Sequence, residues 1–185
     1  KTAGFKVPDE AFLGARNWFD RATASTGDVG YAQPGGGSSF LRSLKDKLGK
    51  DMYDQVPCMT AVAVICRIFT GQDKNDKVVK DGAKIVMGNM PEWTPGGSHK
   101  KLNFYYWYYA TYAMFQVGDK DWRTWNDAMQ KALLPTQRTI KGGYPDADGS
   151  WDPIGEWGFV GGRVYSTAIN ALTLEIYYRY ERLQD

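Results

Sequence analysis

The sequence predicts an all-α fold built of stacked helical hairpins. Three features carry that expectation. Apolar residues recur at three- and four-residue spacing, an order of amphipathic helix, Gly/Pro-rich loop and apolar helix occurs three times, and the aromatic residues cluster. The chain has 185 residues, 43% of them hydrophobic and 24% charged, which suits one domain able to bury a core and excludes a disordered or collagen-like chain. The composition departs from the ordinary in its 7 Trp, 12 Tyr and 8 Phe, so the placement of rings carries much of the reading.

The first unit spans about residues 7–75. In residues 8–25, Phe12, Ala15, Phe19 and Ala22 share one helix face, Pro8 suits the first turn and Gly27 a stop. A Gly-rich stretch follows to Ser39, and residues 40–52 predict a short amphipathic helix over it. Residues 57–69 (PCMTAVAVICRIF) are apolar almost all round, which marks a buried helix; the Ala-Val-Ala-Val alternation also fits a strand, and the length of the run favours helix. The second unit, about 76–120, restarts with Val79, Ala83, Val86 and Met90 on one stripe opposite charges. After a loop over 91–100 comes LNFYYWYYATYAMFQV, residues 102–117, where rings cover every side of a helix; its tyrosine hydroxyls require partners, so it packs on neighbours and lines a polar or wet interior. In the third unit, about 121–183, Trp122, Trp125, Ala128, Met129 and Ala132 face inward until Pro135 ends or kinks the helix. A long glycine-rich loop over 138–163 leads to an apolar helix over 164–183. Apolar helices covered by amphipathic ones form an inner and an outer layer, the hairpins stacking into an arc or a ring. A six-helix antiparallel bundle is the alternative architecture.

Charge and composition narrow the function. A net charge of +2 over 23 basic and 21 acidic residues provides no basic stripe for nucleic acid, and no apolar run is long enough to span a membrane. Cys58 and Cys66 lie eight apart in one helix, roughly 12 Å at about 1.5 Å per residue, beyond disulfide reach, and read as small core residues. The chain starts at Lys1 without a targeting segment, which leaves its compartment unread and suggests part of a longer protein.

The third loop carries a motif. Lys141-Gly142-Gly143-Tyr144, Asp148-Gly149-Ser150-Trp151 and Gly161-Gly162-Arg163-Val164-Tyr165-Ser166-Thr167-Ala168 resemble the glycine- and tryptophan-containing repeat of the terpenoid cyclase and protein prenyltransferase superfamily, the prenyltransferase and squalene oxidase repeat or QW motif, as found in bacterial repeat-containing proteins. Pro145 stands where that repeat usually has Gln, and Gly27-Asp28-Val29-Gly30-Tyr31 is a degenerate echo. The resemblance implies an α/α toroid or an arc of one, with the motif lying between an outer and an inner helix. In that motif Gly143 and Gly149 permit tight backbone, Asp148 or Ser150 satisfies loop amides, and Trp151 covers the hairpin joint.

The superfamily's chemistry is not matched residue for residue. The Asp-x-Asp-Asp acid of the cyclases meets Asp146-Ala147-Asp148-Gly149, which lacks the last acid. The Asp-x-Cys and distant His of the zinc-dependent prenyltransferases meet Val56 and Val64 two residues before the cysteines, and the single histidine, His99, reads as a surface loop residue. No catalytic residue, metal site or cofactor is therefore assigned. Ligand-binding candidates are the inner-helix rings Trp107, Tyr108, Tyr112 and Tyr165, and a loop rim of Asp146, Asp148, Asp152, Glu156 and Trp157 suited to sugars or cationic groups. The expected function is a non-catalytic binding or protein-interaction module, whose partners are other domains of the same protein or another copy and whose ligand is a small hydrophobic or carbohydrate molecule. The alternatives are a fragment of a cyclase- or prenyltransferase-type enzyme acting on isoprenoid lipid, and a carbohydrate-binding or carbohydrate-active domain.

Overall fold

The computed structural model describes residues 4–35, 39–48, 55–93, 101–139 and 145–184. Apart from one isolated bridge between Thr23 and Val29, the regular structure among these residues is helical. The helices are α1 (Asp9–Ala22), α2 (Ser39–Leu48), α3 (Cys58–Phe69), α4 (Lys77–Met87), α5 (Phe104–Val117), α6 (Asp119–Leu133) and α7 (Gly158–Arg179), with 3-10 turns at Leu134–Thr136 and Pro145–Ala147. The chain is all-α. Alternation of Ala and Val did not make residues 58–69 a strand, because a segment apolar on every side can be buried equally well as a helix among helices.

Helices α3, α5 and α7 pack side by side in chain order, with α5 in the middle. On the other side of this layer α1 rests on α3, α4 on both α3 and α5, and α6 on α5. The amphipathic and apolar helices thus sort as their patterns require, each stripe covering the apolar layer. Close approach is built in at Gly82 of α4, where an added Cβ would meet Val64 Cγ2 at 2.7 Å, so any side chain there would push α4 off α3. The main core joins Val86, Trp107, Met114, Trp125, Met129, Leu133 and Ile176.

Two boundaries differ from expectation. The last helix begins at Gly158, six residues before Val164, because a turn over 158–161 runs into it across a kink at Gly162 (φ +66°, ψ −167°). It ends at Arg179, before Leu183, since the tail is held elsewhere: buried Gln116 donates to Glu181 O at 2.9 Å and accepts from Leu183 N at 3.0 Å, and Gln184 donates to Gln72 O at 2.8 Å. Of the short helix expected over 40–52, residues 49–52 lie outside the described residues.

The hairpin loops share a construction. Ahead of α3, residues 22–24 pair with 28–30, and Val29 N donates to Thr60 Oγ1 at 3.0 Å. Ahead of α7, Arg138 pairs with Gly149 and Ser150, and Trp151 N donates to Thr167 Oγ1 at 3.2 Å. A short backbone pairing after the outer helix therefore hands the chain to a threonine in the first turns of the inner one. In the second case Trp151, 3% exposed, also donates Nε1–H to Leu133 O at 3.0 Å, satisfying a carbonyl that the end of α6 leaves open. Gly149 takes φ +73°, and the Ser150 hydroxyl donates to Ala147 O while accepting from Arg163. Gly143 lies outside the described residues.

One charged group is buried in the apolar layer. Arg67 of α3, 2% exposed, donates to Asp20 at 2.7 Å, Gln72 at 3.1 Å and Thr23 at 3.2 Å, fastening α1 to α3. Asp20 itself is 62% exposed, so the two partners are not equivalent. Removing the acid strands a buried guanidinium, whereas removing the arginine leaves a hydrated carboxylate. Urea unfolding should therefore show Asp20→Ala costing about 3 kcal/mol and Arg67→Met only about 1 kcal/mol. Equal costs, or the reverse order, would show that the pair is not the fastening.

Candidate functional site

Helix α5 divides into two faces. Tyr106, Trp107, Ala110 and Met114 are at most 1% exposed and sit in the core. Tyr105, Tyr108, Tyr109 and Tyr112 recur at intervals of three, one and three residues, and they stay half-buried or, for Tyr105, exposed. Their rings touch one another and their neighbours: Tyr105–Tyr109 centroids are 4.8 Å apart, Tyr108–Tyr109 5.2 Å, Tyr112–Tyr180 4.3 Å in a stack, and Tyr112–Phe69 5.3 Å edge-on. Hydroxyl bonds link Tyr105 to Tyr109 and Tyr108 to Tyr180. Burial, reinforced by those bonds, pushes the Tyr105 and Tyr108 hydroxyls well above the usual phenol range, and burial with the Tyr180 charge pushes Tyr112 up to about 12. Tyr105, Tyr108 and Tyr112 are uncharged at neutral pH. The stripe offers ring faces and hydroxyls over about 10 Å, seven residues at about 1.5 Å each.

At one end of the stripe the inner helices present their first turns to a buried carboxyl. Cys58 opens α3, Asn103 caps α5 by accepting Tyr106 N at 2.9 Å, and Tyr165 follows the Gly162 kink in α7. Between them is Glu156, 3% exposed, whose N–H donates to Leu102 O at 3.2 Å and whose Oε2 accepts from Asn103 Nδ2 at 2.5 Å. Its loop passes so near that a Cβ on Gly155 (φ +81°) would lie 2.4 Å from Leu102 O. Burial raises the Glu156 carboxyl to about 7, and the Asn103 bond opposes the shift without cancelling it. Burial, with the charge of Glu156 second, pushes Cys58 up to about 12, so this thiol is no nucleophile. Burial also raises Tyr165, with smaller contributions from Cys58 and Glu156. The Tyr165 hydroxyl is buried without a hydrogen-bond partner among the described residues, as are Ser166 Oγ and both amide atoms of Asn170 a helical turn further on.

The predicted residues separate. Tyr108 and Tyr112 lie on the open stripe and Tyr165 beside Glu156. Trp107 is a core residue, 1% exposed and 5.6 Å from the Phe104 ring, because α5 turns that face toward the outer helices. The four acids do not form one rim. Asp146 and Asp148 are exposed around the 3-10 turn, and Asp152 is held below the ordinary carboxylate range chiefly by Arg138, at 2.6 and 2.9 Å, and also by Arg163 at 2.7 Å. Glu156 alone is buried, and Trp157 is half-buried beside it in the chain. Tyr144 and His99 lie outside the described residues. Among the described residues no group of three or more His, Cys, Asp or Glu could hold a metal ion, and no helix is long and apolar enough to cross a membrane.

Residues overlooked in the sequence are Asn103, and Cys58 as a neighbour of the acid, while Tyr105 and Tyr109 stand out only as members of the tyrosine run. The three-and-four spacing of tyrosines within the run, and Asn immediately before it, were the available signals. No family model, curated protein or solved structure matches the chain.

A carboxyl that folding makes harder to ionise stabilises the fold only while neutral. Glu156 contributes fully below its unfolded value near 4.5 and loses that contribution as pH rises toward about 7. Relative to Glu156→Gln, the native chain should lose about 3 kcal/mol between pH 4.5 and 7.5, at about 1.4 kcal/mol per pH unit. Denaturant unfolding of both proteins across that range is the check. A difference independent of pH would remove the buried acid from the account.

Proposed function

We propose that the chain is a non-catalytic binding module, made of helical hairpins of the kind used by terpenoid cyclases and protein prenyltransferases, whose ligand lies along the tyrosine stripe of α5. The stripe carries this reading. A helix at the centre of a packed layer keeps four rings partly open at one-face spacing, with the Tyr105 hydroxyl bonded to Tyr109, that of Tyr108 to Tyr180, and the Tyr112 ring stacked on Tyr180. The repeated loop construction at Val29–Thr60 and Trp151–Thr167 supports the hairpin-repeat kinship. Isoprenoid turnover has less support, since Trp107 lies in the core. Hydrolysis by a paired-acid mechanism has little, since Asp152 is taken by two arginines while Glu156 is buried alone with Asn103. A further domain or second copy fits the edge of α7, where Phe159, Val160, Val164 and Tyr178 are 59–83% exposed.

Calorimetric titration with soluble oligosaccharides and short prenyl alcohols tests the reading. A binder should be recovered chemically unchanged, and Tyr108→Ala or Tyr112→Ala should weaken it about tenfold, roughly 1.4 kcal/mol. Conversion of the ligand, or affinity indifferent to both substitutions, would sink the proposal.

A further inference from the structure

We infer that the open edge of α7 takes helix α1 of a second copy of this chain, so that copies join head to tail. This is separate from the ligand of the tyrosine stripe and commits the α7 edge to one occupant. The fold makes the same contact once within itself. Helix α4 lies on α3, the inner helix before it, and buries Val79, Gly82, Ala83 and Val86. A Cβ on Gly82 would lie 2.7 Å from Val64 Cγ2 and 3.5 Å from Thr60 Cγ2, so the glycine sets how closely the two helices approach. On α3, Ala61, Val64, Ile65 and Ile68 share core clusters with those α4 residues and are at most 4% exposed.

Both halves of that contact recur with nothing over them. The loop bonds from Val29 N to Thr60 Oγ1 and from Trp151 N to Thr167 Oγ1 set α3 and α7 in register, Thr60-Ala61 on Thr167-Ala168. Carried along the helix, the α3 side that α4 covers corresponds to Ala168, Ala171, Leu172 and Glu175, none of which is buried. Val164 and Val160 extend that strip at 83% and 65% exposed. Glu175 departs from Ile68, and its charge is matched within α7 by Arg179 at 3.8 Å. Helix α1 matches α4 in turn: Gly14-Ala15 and Gly82-Ala83 each hold the sixth and seventh positions of their helices. Ala11 and Gly14, in the places of Val79 and Gly82, are exposed, and a Cβ on Gly14 would meet nothing within 4 Å. Among the described residues α1 has no inner helix before it and α7 no outer helix after it. The chain therefore presents at opposite edges the two sides of a contact that it makes in its middle. Two α7 edges pressed together would set Ala168 and Ala171 against a strip without glycine between 164 and 178, whereas α1 brings the Gly-Ala pair.

Sedimentation equilibrium of the full chain, without ligand, over about 1 to 200 μM tests the join, since an edge of this size suits micromolar association. The native mass should rise with concentration past that of a dimer, because a head-to-tail contact leaves one edge of each kind free. Ala168→Lys blocks the α7 edge and Gly14→Lys blocks α1; each alone should stay monomeric. Mixed in equal amounts they should form a heterodimer and stop there, the intact α1 of the first on the intact α7 of the second. Both substitutions fall at exposed helical positions, and thermal unfolding compared with the native chain checks that each variant is folded. A native chain monomeric throughout the range overturns the inference, as does a mixture that stays monomeric. A native dimer that grows no further and survives Gly14→Lys would show α7 on α7 and overturn it equally. None of these outcomes touches the ligand of the stripe, which calorimetry reads separately.

Discussion

The structure depends on one constraint: helix α5 occupies the middle of the inner layer, so every polar group it buries must find a partner there. Four such groups do, each finding it in a different segment. Tyr106 Oη donates between Val86 O and Asn89 O at the end of α4, and Thr111 Oγ1 accepts from Trp125 Nε1 of α6 at 2.9 Å. Gln116 holds the tail at Glu181 and Leu183, and Asn103 holds the loop acid Glu156. A buried polar group left unpaired costs about 1–3 kcal/mol, more than a paired one gains, so these four groups discriminate strongly against other registers of α5. The apolar surroundings supply the driving force; the four polar groups specify which surroundings.

The tyrosine stripe follows from that arrangement. With α3 and α7 flanking α5 and α4 and α6 behind it, one direction remains, and the residues pointing that way are all tyrosines. Tyrosine suits a surface that is half wet, since its ring packs while its hydroxyl stays hydrogen-bonded. Leucine or phenylalanine at the same positions would leave an open apolar patch. At the far end of the stripe Tyr112 stacks on Tyr180, just beyond α7, so the tail that Gln116 anchors also sets one end of the face.

Periodicity exposed the layers, because an amphipathic stripe such as Val79, Ala83 and Val86 or Trp122, Trp125 and Met129 needs only local sequence to be recognised. It also marked the aromatic run as central. The candidate site was legible only in part. Asp152 and Glu156 look alike in the sequence, four residues apart in one loop, but Asp152 is claimed by arginines 14 and 11 residues away and Glu156 by an asparagine 53 away. Pairings at such separations leave no local pattern. The same holds for Arg67, a lone charge in an apolar helix, whose partner Asp20 lies 47 residues earlier. The start of α7 was misplaced for another reason: Gly161 and Gly162 look like loop residues, yet they form a kink inside a helix, and a Cβ on Gly161 would come within 2.5 Å of Tyr165.

That kink shows where local rules give way. Elsewhere the buried polar groups of the inner layer are paired, as at Arg67, Thr111 and Gln116. Just after Gly162 the Tyr165 hydroxyl, Ser166 Oγ and both amide atoms of Asn170 are buried without partners among the described residues. Apolar residues of similar size at 166 and 170 would remove a desolvation cost of about 1–3 kcal/mol for each unsatisfied group. That concentration contrasts with the paired groups of α5, while in the outer layer Arg16 Nε of α1 is also buried without a partner among the described residues. Polar satisfaction therefore divides between the two inner neighbours: α5 specifies the fold through its paired groups, and α7 carries, just after its kink, groups left unpaired among the described residues.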